Sequence, residues 1–183
     1  MFFDDVEAPL EYLVGEENKG WDYAKFLLGN ERTGIAQVAH SKKRIAKLKE
    51  IAKAELTNGR LLIEDTTFKD KLAQLEIELT ALEYTNPRIL AEAAQGKPPG
   101  PEASMLKIRG SEIGQRLTEM TVESLGYYSA PFQPHRDGSN EPPIGPDYTS
   151  GVMDAFLYGR AYTIYGGSNE IQKNVIAKAV LGL

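Results

Sequence analysis

Proline placement constrains this chain more than any other feature of its sequence. Eight of the ten prolines fall in two clusters: Pro98, Pro99 and Pro101, then Pro131, Pro134, Pro142, Pro143 and Pro146. Proline lacks a backbone donor and clashes with the preceding helical turn, so long helices belong between the clusters. From Trp21 to about Glu55 there is no proline, and Val38, Ile45, Leu48 and Ala52 recur at helical spacing. This predicts one continuous helix of roughly 50 Å with a single buried stripe. From Thr67 a second helix carries Leu72, Leu75, Leu79 and Leu82 in a heptad-like row; Pro87 is expected to kink or interrupt it before it resumes towards Gly96.

Pro101 suits the first turn of a third helix, which shows Leu106, Ile113, Leu117 and Met120 on one side and ends at Gly126. Residues 127–148 hold five prolines and little periodicity, the pattern of an exposed irregular loop. A fourth helix is expected over Thr149 to Ile164. After Gly166-Gly167 a fifth runs from Asn169 to Val180, with Ile171, Val175 and Ala179 four apart. No segment reads as a strand, and no repeat is present. Long single-stripe helices bury that stripe by packing nearly antiparallel, so the expected class is all-α: an up-and-down four-helix bundle with an additional C-terminal helix.

Composition narrows the function. With no cysteine and only His40 and His135, disulfides, thiolate sites, iron–sulfur clusters and histidine-rich metal sites are excluded, and a reducing compartment such as the cytoplasm fits best. Twenty-one basic against 26 acidic residues give a net charge of -5, which offers no field for a nucleic acid. The apolar runs are only a few residues long, far short of the roughly 18 that span a bilayer.

Several local features carry both a functional and a bland reading. Glu31 has Leu27 and Leu28 one turn before it and Ile35 one turn after. A carboxylate on an apolar stripe is a better proton acceptor, yet a solvated edge glutamate tempered by Arg32 has the same pattern. Tyr165-Gly166-Gly167-Ser168-Asn169-Glu170 leads between two helices through paired glycines. It reads either as a site where helix N–H groups meet an anion or carbonyl, or as a plain turn capped by Ser168. The basic run Lys42, Lys43, Arg44, Lys47, Lys49 and Lys53 reads as a solvated face, with a phosphate site as the sharper alternative. Gly110 and Gly114, four apart, suggest close helix approach, and His135, Arg136 and Asp137 are surface residues of the proline-rich loop.

At both ends the sequence resembles the flavin-dependent acyl-CoA dehydrogenases. Phe2-Phe3-Asp4-Asp5-Val6 with Pro9, then Leu13-Val14-Gly15-Glu16 to Gly20-Trp21, is similar to that family's last β-segment and its entry into the helical domain. Ile164 to Asn174 resembles the family's flavin-contacting turn and final helix. The resemblance implies residues 1–20 as an entry segment from a β-domain and 21–183 as the C-terminal helical bundle. It also implies FAD as cofactor and α,β-dehydrogenation of an acyl-CoA thioester to a trans-2-enoyl-CoA, with the α-proton going to a carboxylate and the β-hydrogen leaving as hydride. The family's usual base position is occupied here by Gly166. In members whose base stands on the first long helix it directly precedes an arginine, so the resemblance assigns the base to Glu31, followed by Arg32. It further assigns Gly167, Ser168 and Glu170 to the flavin, and Arg32, Tyr165 and the Gly166 N–H to the substrate.

Two family features are missing: the Arg-x-x-Phe-Gly segment that grips FAD in a neighbouring subunit, and the glycine-rich turn after the third helix, replaced by Gly126-Tyr127-Tyr128-Ser129. Such departures resemble the large-subunit bacterial type of the family. The resemblance also implies an N-terminal helical domain and a β-domain before this bundle, both holding substrate and flavin. The chain is therefore expected to be part of a larger oxidoreductase, inactive and weak in FAD binding by itself, that associates into homo- or hetero-oligomers and passes electrons to an acceptor. The rival expectation is a noncatalytic helical subunit supporting a partner dehydrogenase, motivated by the bare Gly166. A generic interaction module would instead be favoured by strands through residues 67–95.

Overall fold

The computed structural model describes residues 2–34, 36–95, 100–131, 133 and 141–183; the side chains of 28–33 and 93 lie outside that description. Among the described residues the chain is all-α apart from one minimal hairpin. Helices α1 (Gly20–Gly34), α2 (Val38–Ala54), α3 (Thr66–Ala94), α4 (Glu102–Leu125), α5 (Val152–Gly159) and α6 (Asn169–Ile176) follow one another. Strands β1 (Leu56–Thr57) and β2 (Arg60–Leu61) lie between α2 and α3. Residues 2–19 contain a 3-10 turn at Leu10–Tyr12 and no strand. Over residues 67–95 there is helix and no strand, which removes the generic-module reading.

The single long first helix is not observed. Its expected stripe, Val38 to Ala52, lies wholly in α2, and the chain breaks before it, where Gln37 takes a left-handed conformation (φ 46°). The large apolar residues of α1, Trp21, Phe26 and Leu27, are exposed. Among the described side chains the stripe does not extend back through α1, and freedom from proline alone does not make two segments one helix.

Pro87 does not interrupt α3, which runs unbroken on both sides of it. Leu82 and Ile89 flank the proline and both are buried in the main core. Burying each is worth about 1.5–3 kcal/mol, which together offsets the roughly 3 kcal/mol that an interior proline costs. The hairpin was also unforeseen. It pairs Leu56 with Leu61 and Thr57 with Arg60, closed by Asn58-Gly59 with φ of 50° and 76°. Asn-Gly is the preferred two-residue turn, but strands of two residues leave no alternation to read.

Pro101 and Gly126 bound α4 as expected, Gly126 with a φ of 50°. The fourth and fifth helices are shorter than expected. Past Gly159 the chain tightens into a 3-10 segment, Arg160–Thr163, and past Ile176 it continues as a π-helical turn, Ala177–Leu181. The proline-rich loop is less exposed than expected where it is described. Ser129 and Gln133 are buried, and Gln133 exchanges hydrogen bonds with the Ile144 carbonyl (3.2 Å) and N–H (3.1 Å). His135, Arg136 and Asp137 lie outside the described residues.

Helix α4 is the axis of the molecule. Leu106, Ile113, Leu117 and Met120 join Leu48, Ala52, Leu72, Leu75, Leu79 and Leu82 in one core shared by α2, α3 and α4. Its opposite side is buried too, through Ala103, Ser104, Lys107, Gly110, Ser111 and Thr118. Two faces of α4 are thus covered, with Met105, Arg109 and Glu123 left on an exposed stripe, and such a helix must have partners on both covered sides; α1, α5 and α6 pack on α4 as well.

Candidate active site

The second face of α4 is a row of small residues spaced for close approach: Ala103, Gly110, Ser111 and Gly114. Gly110 admits the α1–α2 connection, for a Cβ there would lie 2.8 Å from the Ala36 carbonyl oxygen. Gly114 admits the Tyr162 ring, 3.1 Å from where its Cβ would stand. The expected close approach at this glycine pair is thus real but divided between two neighbours. Between them, Lys107 and Ser111 reach Asn169, the first residue of α6. One turn of α4 therefore seats both the segment just after Glu31 and the glycine turn before α6.

The 3-10 segment that delivers the chain to this turn is pinned to α4. Arg160 bonds Glu119 (2.5 Å), Thr118 Oγ1 (3.0 Å) and the Gln115 carbonyl (3.2 Å), and its guanidinium lies 4.4 Å from the Phe156 ring. Gln115 Nε2 in return donates to the carbonyls of Gly159 and Arg160, both at 3.2 Å. Beyond it, Tyr165 stands edge-on to Tyr162 (6.0 Å), whose hydroxyl accepts from Arg44 (3.1 Å). Burial and the neighbouring tyrosines push the Tyr165 hydroxyl pKa up, so it stays a neutral phenol at physiological pH.

Gly166 and Gly167 both take left-handed conformations, with φ of 65° and 83°. A side chain would strain either position. At Gly167 a Cβ would also fall 2.5 Å from Gln172 Nε2, which reaches back to the carbonyls of Gly166 (3.2 Å) and Gly167 (3.5 Å). With the carbonyls turned inward, the N–H groups of Gly166 and Gly167 have no acceptor among the described residues. Ser168 caps α6 by accepting from the Ile171 N–H (3.4 Å). The Glu170 carboxyl is held below the usual range, first by its own backbone N–H and then by the Ser168 hydroxyl.

Of the expected site residues, Tyr165, Gly166, Gly167, Ser168 and Glu170 stand on this one turn. Glu31 and Arg32 are on the backbone of α1, but their side chains lie outside the described residues. Sequence reasoning overlooked Lys107, Gln115, Arg160 and Gln172, which hold the turn. Lys107 could have been found. Ala103, Lys107, Gly110, Ser111 and Gly114 form one helical stripe, and a lone lysine in a stripe of small residues has to be covered by whatever packs there.

The chain belongs to the acyl-CoA dehydrogenase family: residues 18–181 match the family model of the acyl-CoA dehydrogenase C-terminal domain. It is 27% identical to the short-chain specific acyl-CoA dehydrogenase of Megasphaera elsdenii, over 99% of this chain and 44% of that one. To the mitochondrial long-chain specific acyl-CoA dehydrogenase of Mus musculus it is 29% identical, over 99% of this chain and 39% of that one. The solved butyryl-CoA dehydrogenase of M. elsdenii superposes with a TM-score of 0.75 at 25% identity, over 98% of this chain and 43% of that one. The chain thus spans less than half the length of these relatives. No helix among the described residues is long and apolar enough to cross a membrane.

Proposed function

We propose that this chain is the C-terminal bundle, residues 21–183 with an entry segment over 1–20, of an FAD-dependent acyl-CoA dehydrogenase that forms a trans-2-enoyl-CoA. The observation that carries the reading is the Gly166-Gly167 turn. It presents two N–H groups that have no acceptor among the described residues, beside the N-terminus of a capped helix, and its two glycines bring no side chain of their own. Such a cradle suits a thioester oxygen at Gly166 and the edge of a flavin at Gly167, Ser168 and Glu170. These residues fit the cofactor, and what FAD supplies when bound is an acceptor for the β-hydride.

The chain's own residues do the rest. Donation from the Gly166 N–H to the thioester oxygen stabilises negative charge as the α-proton leaves, which makes that proton removable. Glu31 is the base that takes it, and the bare Gly166 leaves room for a carboxylate arriving from α1. Arg32 and Tyr165 line the acyl-CoA. The seating of Ala36 on Gly110, next to Ser111 and its contact with Asn169, supports this convergence of α1 and the turn. The cysteine-free composition supports a cytoplasmic setting. The exposed apolar residues Leu157, Tyr158, Ile164 and Ile171 beside the site support assembly through bundle helices, as homo- or hetero-oligomer, with an electron acceptor as further partner.

In the complete enzyme, Glu31→Gln is expected to retain FAD while dehydrogenation of acyl-CoA falls at least about a hundredfold, the usual size of a lost general base. Retained turnover rules out Glu31. Flavin that bleaches with acyl-CoA only when a second, different chain is added identifies this chain as the supporting subunit of a partner dehydrogenase.

A further inference from the structure

We propose that Lys107 is a positioning residue: its ammonium group holds Asn169 and through it fixes the glycine turn on α4. The inference rests on the preceding reading only for what the turn does, not for how it is held.

Lys107 is fully buried, and the acceptor it meets among the described residues is Asn169 Oδ1 at 2.8 Å. Ser111 Oγ also approaches Asn169 Oδ1, at 3.2 Å, but lies closer to the Ile108 carbonyl, at 2.9 Å. A hydroxyl has one proton to give, and the shorter contact takes it. Asn169 Oδ1 is then left dependent on the lysine.

The position is costly for a cation. Burial lowers the Lys107 pKa, with only the charge of Glu170 pulling it back up. The ammonium also sits against the first residue of α6, at the positive end of the helix dipole. A methionine would fill the same volume without either penalty. What lysine provides that methionine cannot is the bond to Asn169.

The turn needs that bond because, although the Gln172 N–H bonds the Ser168 carbonyl at 2.9 Å, its other side-chain ties are long. Gln172 reaches its carbonyls at 3.2 and 3.5 Å, and the Ser168 cap spans 3.4 Å. Hydrogen bonds weaken quickly beyond about 3.2 Å. Among the described residues, the charge-assisted 2.8 Å contact of Lys107 is a shorter hydrogen bond between α6 and α4 than that of Ser111 at 3.2 Å.

The test is amide hydrogen exchange, read residue by residue, on the 183-residue chain. Lys107→Met is expected to speed exchange of the hydrogen-bonded amides of α6, from Ile171 and Gln172 to Ile176, by about tenfold or more, as loss of one charge-assisted bond should. Exchange in the middle of α3 stays as it was, and the melting temperature is equal or higher. Asn169→Ala, which leaves the lysine in place, produces the same local acceleration, and the double variant exchanges no faster than either single one. Lys107→Gln keeps a donor and recovers part of the protection. Unchanged exchange in Lys107→Met overturns the proposal, and so does acceleration spread over all helices with a lower melting temperature, the behaviour of a mere core filler. If Lys107→Met does not fold, Asn169→Ala decides on the same two criteria. Neither flavin nor thioester enters this measurement, so its failure leaves the dehydrogenase reading standing, and failure of that reading leaves the exchange result intact.

Discussion

Tyr148 shows how one residue fixes a loop that no periodicity organises. Its hydroxyl donates to Glu55 at the end of α2 (2.7 Å), and its ring packs beside Ile51, Leu125 and Val152. That hydrogen bond, then burial, raises the Tyr148 pKa from 10.0 to about 12. A group whose proton is held more tightly in the folded state stabilises fully below its unfolded pKa. The contribution is therefore complete up to pH 10 and disappears as pH climbs through about 12. Tyr148→Phe is expected to cost about 1 kcal/mol at neutral pH. It should also flatten the fall in stability between pH 10 and 12, measured by urea melts across that range. An unaltered fall in the variant would show that Glu55 does not hold the phenol. At this scale the sequence was only half legible. The paired glycines of the turn announce themselves because two left-handed residues in succession need them, whereas Glu31 looks the same whether solvated or catalytic. Lys107, Gln172 and Arg160 act through partners 62, 6 and 41 residues away, separations that no local pattern encodes.

Among the elements, legibility followed the strength of the stripe. The leucine row of α3 and the Leu106, Ile113 and Leu117 row of α4 stand in the core as their spacing required. Where the sequence misled, two signals competed. Freedom from proline suggested that α1 and α2 were continuous, although the stripe belonged to α2 alone. Conversely, Pro87 argued for a break that the burial of Leu82 and Ile89 overrode. The latter has a measurable consequence. Pro87 is exposed inside α3 and withholds a hydrogen bond from the Glu83 carbonyl one turn earlier. Pro87→Ala restores that bond at the expense of a more flexible unfolded chain, worth about 0.4–1 kcal/mol. Against the roughly 3 kcal/mol helix penalty of proline, the variant is expected to gain about 2–2.6 kcal/mol and melt higher. A lower melting temperature would mean that α3 is shaped around the proline rather than strained by it.

For the molecule as a whole, the consequence of a central α4 is that its parts differ in how they depend on one another. Helices α2 and α3 share a continuous core with α4, so losing any contact there should be felt by all three. Helix α1 is different: its described aromatic and leucine side chains Trp21, Tyr23, Phe26 and Leu27 are exposed, and the connection that follows it enters the notch at Gly110 through Ala36. The chain contains one tryptophan, and Trp21 is 72% exposed, so fluorescence reports on α1 while circular dichroism reports on the bundle. The native chain is expected to emit like tryptophan in water and to be quenched freely by acrylamide, with little change through the melt. Leu106→Ala, which empties a fully buried position at the axis, should cost about 2–5 kcal/mol in the dichroism transition and leave the native fluorescence untouched. Emission that starts blue-shifted and moves to the red in step with the dichroism would show instead that α1 is part of the cooperative core. On the proposed dehydrogenase reading, the same tryptophan becoming shielded in a longer protein would identify α1 as a covered face, and the base proposed at Glu31 would then work in an enclosed site where water cannot compete for the substrate proton.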